Sequence, residues 1–403
     1  MRAPRRAMAK RVLLVRGGIL GRNSGLGSAH HNLADLLSSG SVPGWVIEAI
    51  SEYDLPPRAS PFYRLWKRWF SHPKTVKKAI NRSISNGNCD VVHITDQEQA
   101  HLIPKKCKLP VIVTVHDLFH LFPAKMKIGG QEIDIGEQNP PSYRRRDIKK
   151  LKRGLSRASL LLCDSKATLK DCQKHFPDVK SICVPLGIEV SSYSPNEQIT
   201  PSPPLNDRCN LLIVGSHDPR KRMEFICQVL GSLDASVLNE LQINHVGQGE
   251  SEYGSPAVIE LAIKNNIKNW TVHGPLVSDS KLMDLRNSSE CLLFPSASEG
   301  FGYPPLEALA SGLPVLCSDL PSHNELMPEN YCLAADDEDT WKRAILSVYY
   351  DWKSRNGEPR ELDQTLIEHA LKFDNKEFSS RIADAYNSLS SDINLFSFGK
   401  VVE

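Results

Sequence analysis

FPSASEGFGYPPLEALASGLPVLCSD, from Phe294 to Asp319, decides the fold. An apolar strand ends near Phe294 and gives way to a loop carrying Gly300 and Gly302. Pro304 and Pro305 then open a helix, where a missing N–H leaves no bond unmade. The run LEALAS carries the helix to Gly312, suited to a left-handed cap, with Pro314 just beyond. A second apolar strand, PVLCSD, follows. Strand, glycine loop, helix, strand is a βαβ unit, and its loop lies at the carboxyl end of a strand, where open α/β sheets take their ligands. Glycine N–H groups can approach an anion there, and the helix N-terminus adds partial positive charge. Glu299 in the loop and Glu307, placed in the first helical turn, frame the site. A carboxylate accepts two hydroxyl hydrogen bonds at once and suits a sugar or a ribose. Singly, each has a plainer reading: Glu307 as a helix-dipole residue, Glu299 as a solvated loop residue. Together in one cassette they favour a ligand site.

Outward from this unit, short apolar runs alternate with helical patterns along the whole chain. Candidate strands are 11–17, 90–95, 111–117, 158–165 and 181–185, then 210–216, 244–247, 270–275, 290–296 and 314–319. Most are continuous apolar runs, as expected of parallel strands covered on both faces, so the expected class is doubly wound α/β. A length of 403 residues exceeds one typical core. The aperiodic, proline-rich segment SSYSPNEQITPSPPLND breaks the chain near its middle. The expected organisation is an amino-terminal domain over 1–192, a linker over 193–208, a second domain over 209–375, and a carboxy-terminal helix over 376–403 that packs back on the first domain.

Composition narrows the function. A formal net charge of +2 gives no global reason to bind nucleic acid. No stretch nears the roughly 20 apolar residues that span a bilayer. The basic start MRAPRRAMAKR has no apolar signal core and reads as a tail. Ten cysteines, none in a C-x-x-C pair and several inside apolar runs, read as buried free thiols in a reducing cytoplasm.

Three more loops carry candidates. In LLIVGSHDPRKRMEFI a strand ends in Gly215-Ser216, and Arg220 and Lys221 follow; cations there can neutralise a diphosphate leaving group, or simply solvate a helix start. VIVTVHD puts His116 at the end of a buried strand. RGGILGRNSGLGSAHHNLADLL holds Gly25 and Gly27 between a strand and a helix, a weak partial match to a dinucleotide fingerprint.

The cassette reads Glu299-Gly-Phe-Gly-Tyr-Pro-Pro-Leu-Glu307-Ala-Leu-Ala-Ser-Gly-Leu-Pro-Val315. It resembles the frame E-G-[FL]-G-x-x-x-x-E-A-x-A-x-G-x-P-V of the retaining glycosyltransferases of the GT-B fold, family 4. The resemblance covers roughly residues 10–330 and is stronger after Leu211. It implies two Rossmann-like domains facing across a cleft, with a nucleotide-diphosphate sugar as co-substrate and no cofactor or divalent metal. It implies that Glu299 contacts the donor sugar hydroxyls and that backbone groups of Gly300, Phe301 and Gly302 lie near sugar and diphosphate. Glu307 becomes the ribose ligand, and Lys221 matches a family lysine beside the diphosphate. Ser216 stands where an arginine is frequent, so Arg220 is expected to supply that charge. Gly274, Pro275 and Leu276 bracket the base, His116 lies near the transferred sugar in a polar role, and Gly25 and Gly27 border the acceptor side and the donor phosphates. VPLGI at 184–188 resembles V-P-N-G-[IV], with Leu186 in place of asparagine.

The expected acceptor is a glycan, a lipid or a small molecule, with no nucleic acid. One rival is a nicotinamide-dependent oxidoreductase using the amino-terminal glycine loop and Glu48 as ribose ligand; it leaves the 299–307 cassette unexplained. Another is a sugar-nucleotide-binding protein without activity. Residues 62–82 are basic with interleaved aromatics. They read as a peripheral contact with a membrane's inner face or a polyanion, or as an exposed helix–turn–helix whose lysines snorkel, with Pro73 interrupting any single long helix. Asp337-Glu338-Asp339 reads as a helix cap rather than a metal motif.

Overall fold

The computed structural model describes residues 9–22, 24–193, 207–250 and 256–397. Most of the expected linker, and the first eight residues of the tail, lie outside the described residues. The strands, in chain order, are β1 (Lys10–Gly18), β2 (Trp45–Tyr53), β3 (Val91–Ile94), β4 (Val111–Val115), β5 (Ala124–Ile128), β6 (Gln131–Ile135), β7 (Leu160–Cys163), β8 (Ser181–Cys183), β9 (Cys209–Val214), β10 (Leu241–Val246), β11 (Trp270–Gly274), β12 (Cys291–Phe294) and β13 (Val315–Cys317). They divide between two compact units.

The first unit takes the chain up to Phe122, Asn139–Gly187 and the segment from Asn375 onward. Its sheet runs β2-β1-β3-β4-β7-β8, with every pairing parallel. Each residue of β3, β4 and β7 is buried, as expected where helices cover both faces. The helix Gly25–Ser38 starts where the Ser24 hydroxyl accepts the Gly27 N–H at 3.1 Å, and it buries Ala29, Leu33 and Leu37 on one face. The carboxy-terminal helix Asn375–Ser397 belongs to this unit and buries Phe378, Ile382 and Tyr386. Tyr386 meets Trp45 edge-on, and its hydroxyl lies 2.8 Å from His93 Nδ1.

The second unit takes Pro123–Gln138 and Ile188–Asp374. Its parallel sheet runs β11-β10-β9-β12-β13. Every residue of β10 and β12 is buried, over a separate core that includes Phe225, Trp341 and Ile345. The antiparallel hairpin β5–β6 groups here rather than with the first domain as its position in the chain suggested. It does so because β6 lies against the Pro219–Lys221 turn and Gly129 backs onto Asp336. The boundary also falls earlier than 192: Ile188 donates its N–H to Phe373 O at 3.0 Å and bridges to Asp374, which binds residue 188 into the second unit.

Pro73 does not break its helix. The chain stays helical from Pro61 to Ser85 by passing through a π turn over Lys67–Ser71, in which the His72 N–H reaches back to Lys67 O. Pro73 has no N–H to give, and its ring would crowd the carbonyl of the preceding α-turn; the wider π register just before it relieves that conflict. Among the described residues no helix is long and apolar enough to cross a membrane.

Candidate functional site

In the second sheet β9 is the first strand, with β10 and β11 added on one side and β12 and β13 on the other. The order in which strands are added therefore reverses between β9 and β12, and the loops leaving their carboxyl ends open the crevice where such sheets take ligands. The β9 loop begins at Gly215, whose φ of +154° favours glycine and which lies beside the Lys221 stem. Asp218 then caps a tight turn by accepting the Arg220 N–H at 3.0 Å. Ala297 in the β12 loop donates to Arg220 O at 2.6 Å and ties the two loops together.

These loops bring Arg220, Lys221 and Glu299 into one cluster. Glu299 Oε2 lies 2.6 Å from Arg220 Nη1 and its Oε1 lies 2.5 Å from Lys221 Nζ. Arg220 also donates to Ser298 O at 3.0 Å and has Asp218 at 3.7 Å. Burial alone would raise the Glu299 carboxyl, but the two cations hold it well below the ordinary carboxylate range. Burial lowers the Lys221 ammonium, and Glu299 opposes that shift. The carboxylate is thus ionised and seated on both cations. His323, which sequence reasoning missed, packs edge-on against Phe294 under this cluster. Its Nδ1–H donates to Ser318 O at 2.9 Å, and burial lowers its pKa, so Nε2 keeps a lone pair. That nitrogen is buried without a partner.

Gly302 has φ +110° and starts the helix Tyr303–Ala310, while Phe301 turns inward against Tyr303 and Phe373. Gly300, Phe301 and Gly302 thereby present backbone, not side chains, at the helix start. Glu307 sits at the fifth position of this helix, one turn deeper than the first-turn placement expected, because the helix begins at Tyr303. Its partner is Arg286, a residue the sequence did not single out: Nη2 lies 2.6 Å from Glu307 Oε2. The Tyr193 hydroxyl donates to Oε1 at 3.4 Å, and the Arg286 guanidinium stacks 5.2 Å from the Tyr193 ring centre. Burial raises the Glu307 carboxyl and Arg286 pulls it back. A buried arginine looks like any surface arginine in sequence, so only the fold reveals it.

Gly274, Pro275 and Leu276 leave the carboxyl end of the edge strand β11. Gly274 has φ +76° and accepts the Gly247 N–H at 3.0 Å, and Leu276 is 89% exposed. Two strand spacings put this rim about 10 Å from the Gly215-Ser216 end of β9.

His116, Gly25 and Gly27 belong to the first unit. His116 is buried at the end of β4, with Nε2 3.1 Å from Thr95 O and Nδ1 3.2 Å from Asp164 Oδ2. A carbonyl only accepts, so Nε2 carries a hydrogen, and Nδ1 shares one with Asp164. Both nitrogens are engaged, which fits a positioning role better than that of a free base. Asp164 was missed by the sequence reading. Gly25 opens its helix, and a Cβ at Gly27 would fall 1.9 Å from Gly21 O. Arg16 and Asp96, also missed, form a buried pair at 3.6 Å near the carboxyl ends of β1 and β3. Glu48 lies in mid-strand on β2, paired with Arg11 at 2.9 Å, which removes it from the strand end a ribose ligand needs. Asp337 caps the helix Glu338–Ser354 through the Thr340 N–H at 3.0 Å. Among the described residues no group of three acidic, histidine or cysteine side chains is placed to hold a metal ion.

Residues 42–192 match the family described as Glycosyltransferase Family 4, and residues 208–351 match the one described as Glycosyl transferases group 1. The O-antigen chain mannosyltransferase of Salmonella typhimurium is 36% identical over 92 residues, 23% of this chain and 25% of that protein. The chain spans between 25% and 63% of the length of the curated relatives it matches. Among solved structures, sucrose-phosphate synthase from Thermosynechococcus elongatus superposes with a TM-score of 0.67 at 15% identity, over 95% of this chain and 100% of that one. The Anabaena protein HepE, solved with UDP and glucose, superposes with a TM-score of 0.63 at 13% identity, over 94% of this chain and 100% of that one.

Proposed function

Because this chain belongs to glycosyltransferase family 4 and has the GT-B fold, we propose that it moves a hexosyl unit from a nucleotide-diphosphate sugar to an acceptor hydroxyl with retention of anomeric configuration. The observation that carries the reading is the seating of Glu299 on Arg220 and Lys221 at the switch point of the second sheet. Two cations beside a glycine-lined strand end suit a diphosphate, whose negative charge grows as the glycosidic bond breaks. Glu299, kept ionised, suits the hydroxyls of the transferred sugar, and Glu307, braced by Arg286, suits the ribose diol. The bond from the anomeric carbon to the diphosphate oxygen breaks and its electron pair leaves with the nucleoside diphosphate. The acceptor hydroxyl attacks the same face of that carbon, and its proton passes to the departing diphosphate oxygen. No side chain is assigned as a covalent nucleophile.

A glycan or lipid-linked glycan is the proposed acceptor, supported by the O-antigen mannosyltransferase relative. The HepE structure with UDP and glucose supports a sugar nucleotide as donor. The test is to incubate the protein with UDP-, GDP- and ADP-sugars and a mixed glycan acceptor pool. Release of one nucleoside diphosphate, with the product's anomeric configuration matching the donor's by NMR, is the expected result. Inversion would overturn the retaining mechanism, and failure to consume any nucleotide sugar would overturn the donor assignment.

A further inference from the structure

Residues 55–89 hold eight lysines and arginines and no aspartate or glutamate, and the helix Ser142–Leu155 holds seven more with one aspartate. In a chain of net charge +2 this is a strong local excess. The one acid, Asp147, is turned inward. It accepts from Arg68 Nη2 at 2.8 Å, from Trp69 Nε1 at 2.9 Å and from Arg144 Nη1 at 3.0 Å, clamping the two helical segments side by side. Lys150 then lies 4.1 Å over the Trp69 ring and 5.8 Å from the Phe70 ring centre. Arg144 also meets Glu98 at 2.9 Å, so Arg68 and Arg144 are held in ion pairs, and Lys150 is the cation of the second helix placed against the aromatics of the first.

The aromatic residues are ordered. Phe62, Trp66 and Phe70 recur every fourth position, followed at the same spacing by Lys74 and Lys78. On an α-helix of 3.6 residues per turn such a row drifts by about 40° per step; the wider π turn over Lys67–Ser71 takes back part of the drift and keeps the row on one face. Phe62 is 80% exposed, Phe70 55% and Trp66 44%, while Val76 and Ile80 on the opposite face are buried. Trp66, Phe70, Lys74 and Lys78 line one shallow groove.

We propose that this face docks on an anionic lipid bilayer, with Phe62, Trp66 and Phe70 entering the headgroup boundary and Lys74, Lys78 and Lys150 engaging the headgroups. Charge selects the partner's sign, and the apolar row selects its kind. A phenylalanine has nothing to hydrogen-bond, and three large rings in line gain most from a continuous apolar layer. Each lysine near such a surface contributes about a fivefold gain in affinity, roughly 1 kcal/mol. The inference is independent of the donor chemistry, since it rests on surface residues alone.

The experiment is flotation of the full chain with vesicles of phosphatidylcholine alone and of phosphatidylcholine with phosphatidylglycerol. Binding is expected only to the second. Phe62→Ser/Trp66→Ser/Phe70→Ser should abolish it, and Lys74→Gln/Lys78→Gln should weaken it about 25-fold. These side chains are exposed, and circular dichroism with unchanged consumption of nucleotide sugar would show both variants folded. Equal capture by both vesicle types, or none by either, overturns the proposal. Binding that survives loss of the three rings, and is matched by heparin or DNA, overturns it in favour of a generic polyanion surface.

Discussion

Glu299 is seated on the two cations that the proposed function assigns to a diphosphate. Its two oxygens occupy Arg220 and Lys221 at 2.6 and 2.5 Å, so on the proposed function a diphosphate binding there would compete with a carboxylate already seated. Removing the carboxylate's charge should free both cations. Glu299→Gln is therefore expected to bind free UDP or GDP about tenfold tighter, roughly 1.4 kcal/mol, while sugar transfer falls on the order of 10²- to 10³-fold. Calorimetry with the free nucleotide decides it, because a residue that touched only the sugar would leave nucleotide affinity unchanged. The His116–Asp164 pair of the first unit gives a pH prediction. Burial raises Asp164 from 3.8 to about 6. Burial alone would lower His116, but Asp164 beside it raises it overall from 6.5. Both folded values lie above the unfolded ones, so the native state holds more protons through this window. The pair's contribution is full at acid pH and is lost as pH rises through the raised values. Between about pH 6 and pH 8 the melting temperature of the wild type should fall more steeply than that of Asp164→Asn; parallel curves would remove the shared proton.

At the scale of elements, what was legible followed from continuous apolar runs. Strands such as NLLI and CLLF, buried on both faces, announce themselves, and so does the glycine and proline punctuation around the helix Tyr303–Ala310. The strand β2 was not read because an edge strand with Glu48 and Glu52 lacks that run. The hairpin β5–β6 did carry a signal, with Gly129 and Gly130 at φ +56° and +78° between alternating strands, yet its attachment to the second unit is a long-range fact. The site divided the same way. Glu299, Glu307 and Lys221 stand in recognisable frames, whereas Arg286, His323 and Asp164 matter because of what the fold buries beside them. Arg286 comes from the helix Asp279–Asn287 and Glu307 from the helix Tyr303–Ala310, so their bond couples two elements. Arg286→Met should leave Glu307 buried with only Tyr193. Its carboxyl then rises further and protonates nearer neutrality. Nucleotide-sugar affinity should fall about tenfold at pH 7 and recover partly at higher pH. A pH-independent loss would mean that Arg286 touches the ligand itself rather than tuning Glu307.

At the scale of the whole molecule, each unit has its own core, and the carboxy-terminal helix belongs to the first although the chain reaches it only after completing the second. Phe378, Ile382 and Tyr386 are each buried there, and losing side chains of that size costs about 2–5 kcal/mol apiece. Three such losses rival the roughly 5–15 kcal/mol that holds a domain folded, so the first unit cannot close until the last helix is made. The link is specific at Tyr386, whose hydroxyl meets His93 Nδ1 while Thr114 meets Nε2, on a histidine that burial holds neutral, with its pKa lowered to about 3. Tyr386→Phe strands Nδ1 in the core at a cost of about 1–3 kcal/mol. Amide exchange should then quicken by roughly ten- to a hundredfold through β3 and β4, with β9, β10 and β12 unchanged. Added nucleotide should slow exchange around Gly215 and Gly302 in wild type and variant alike, since those loops draw on the second core only. If the substitution instead loosened the second sheet, the two cores would form one cooperative body, and the carboxy-terminal helix would stabilise the whole chain rather than the unit it joins.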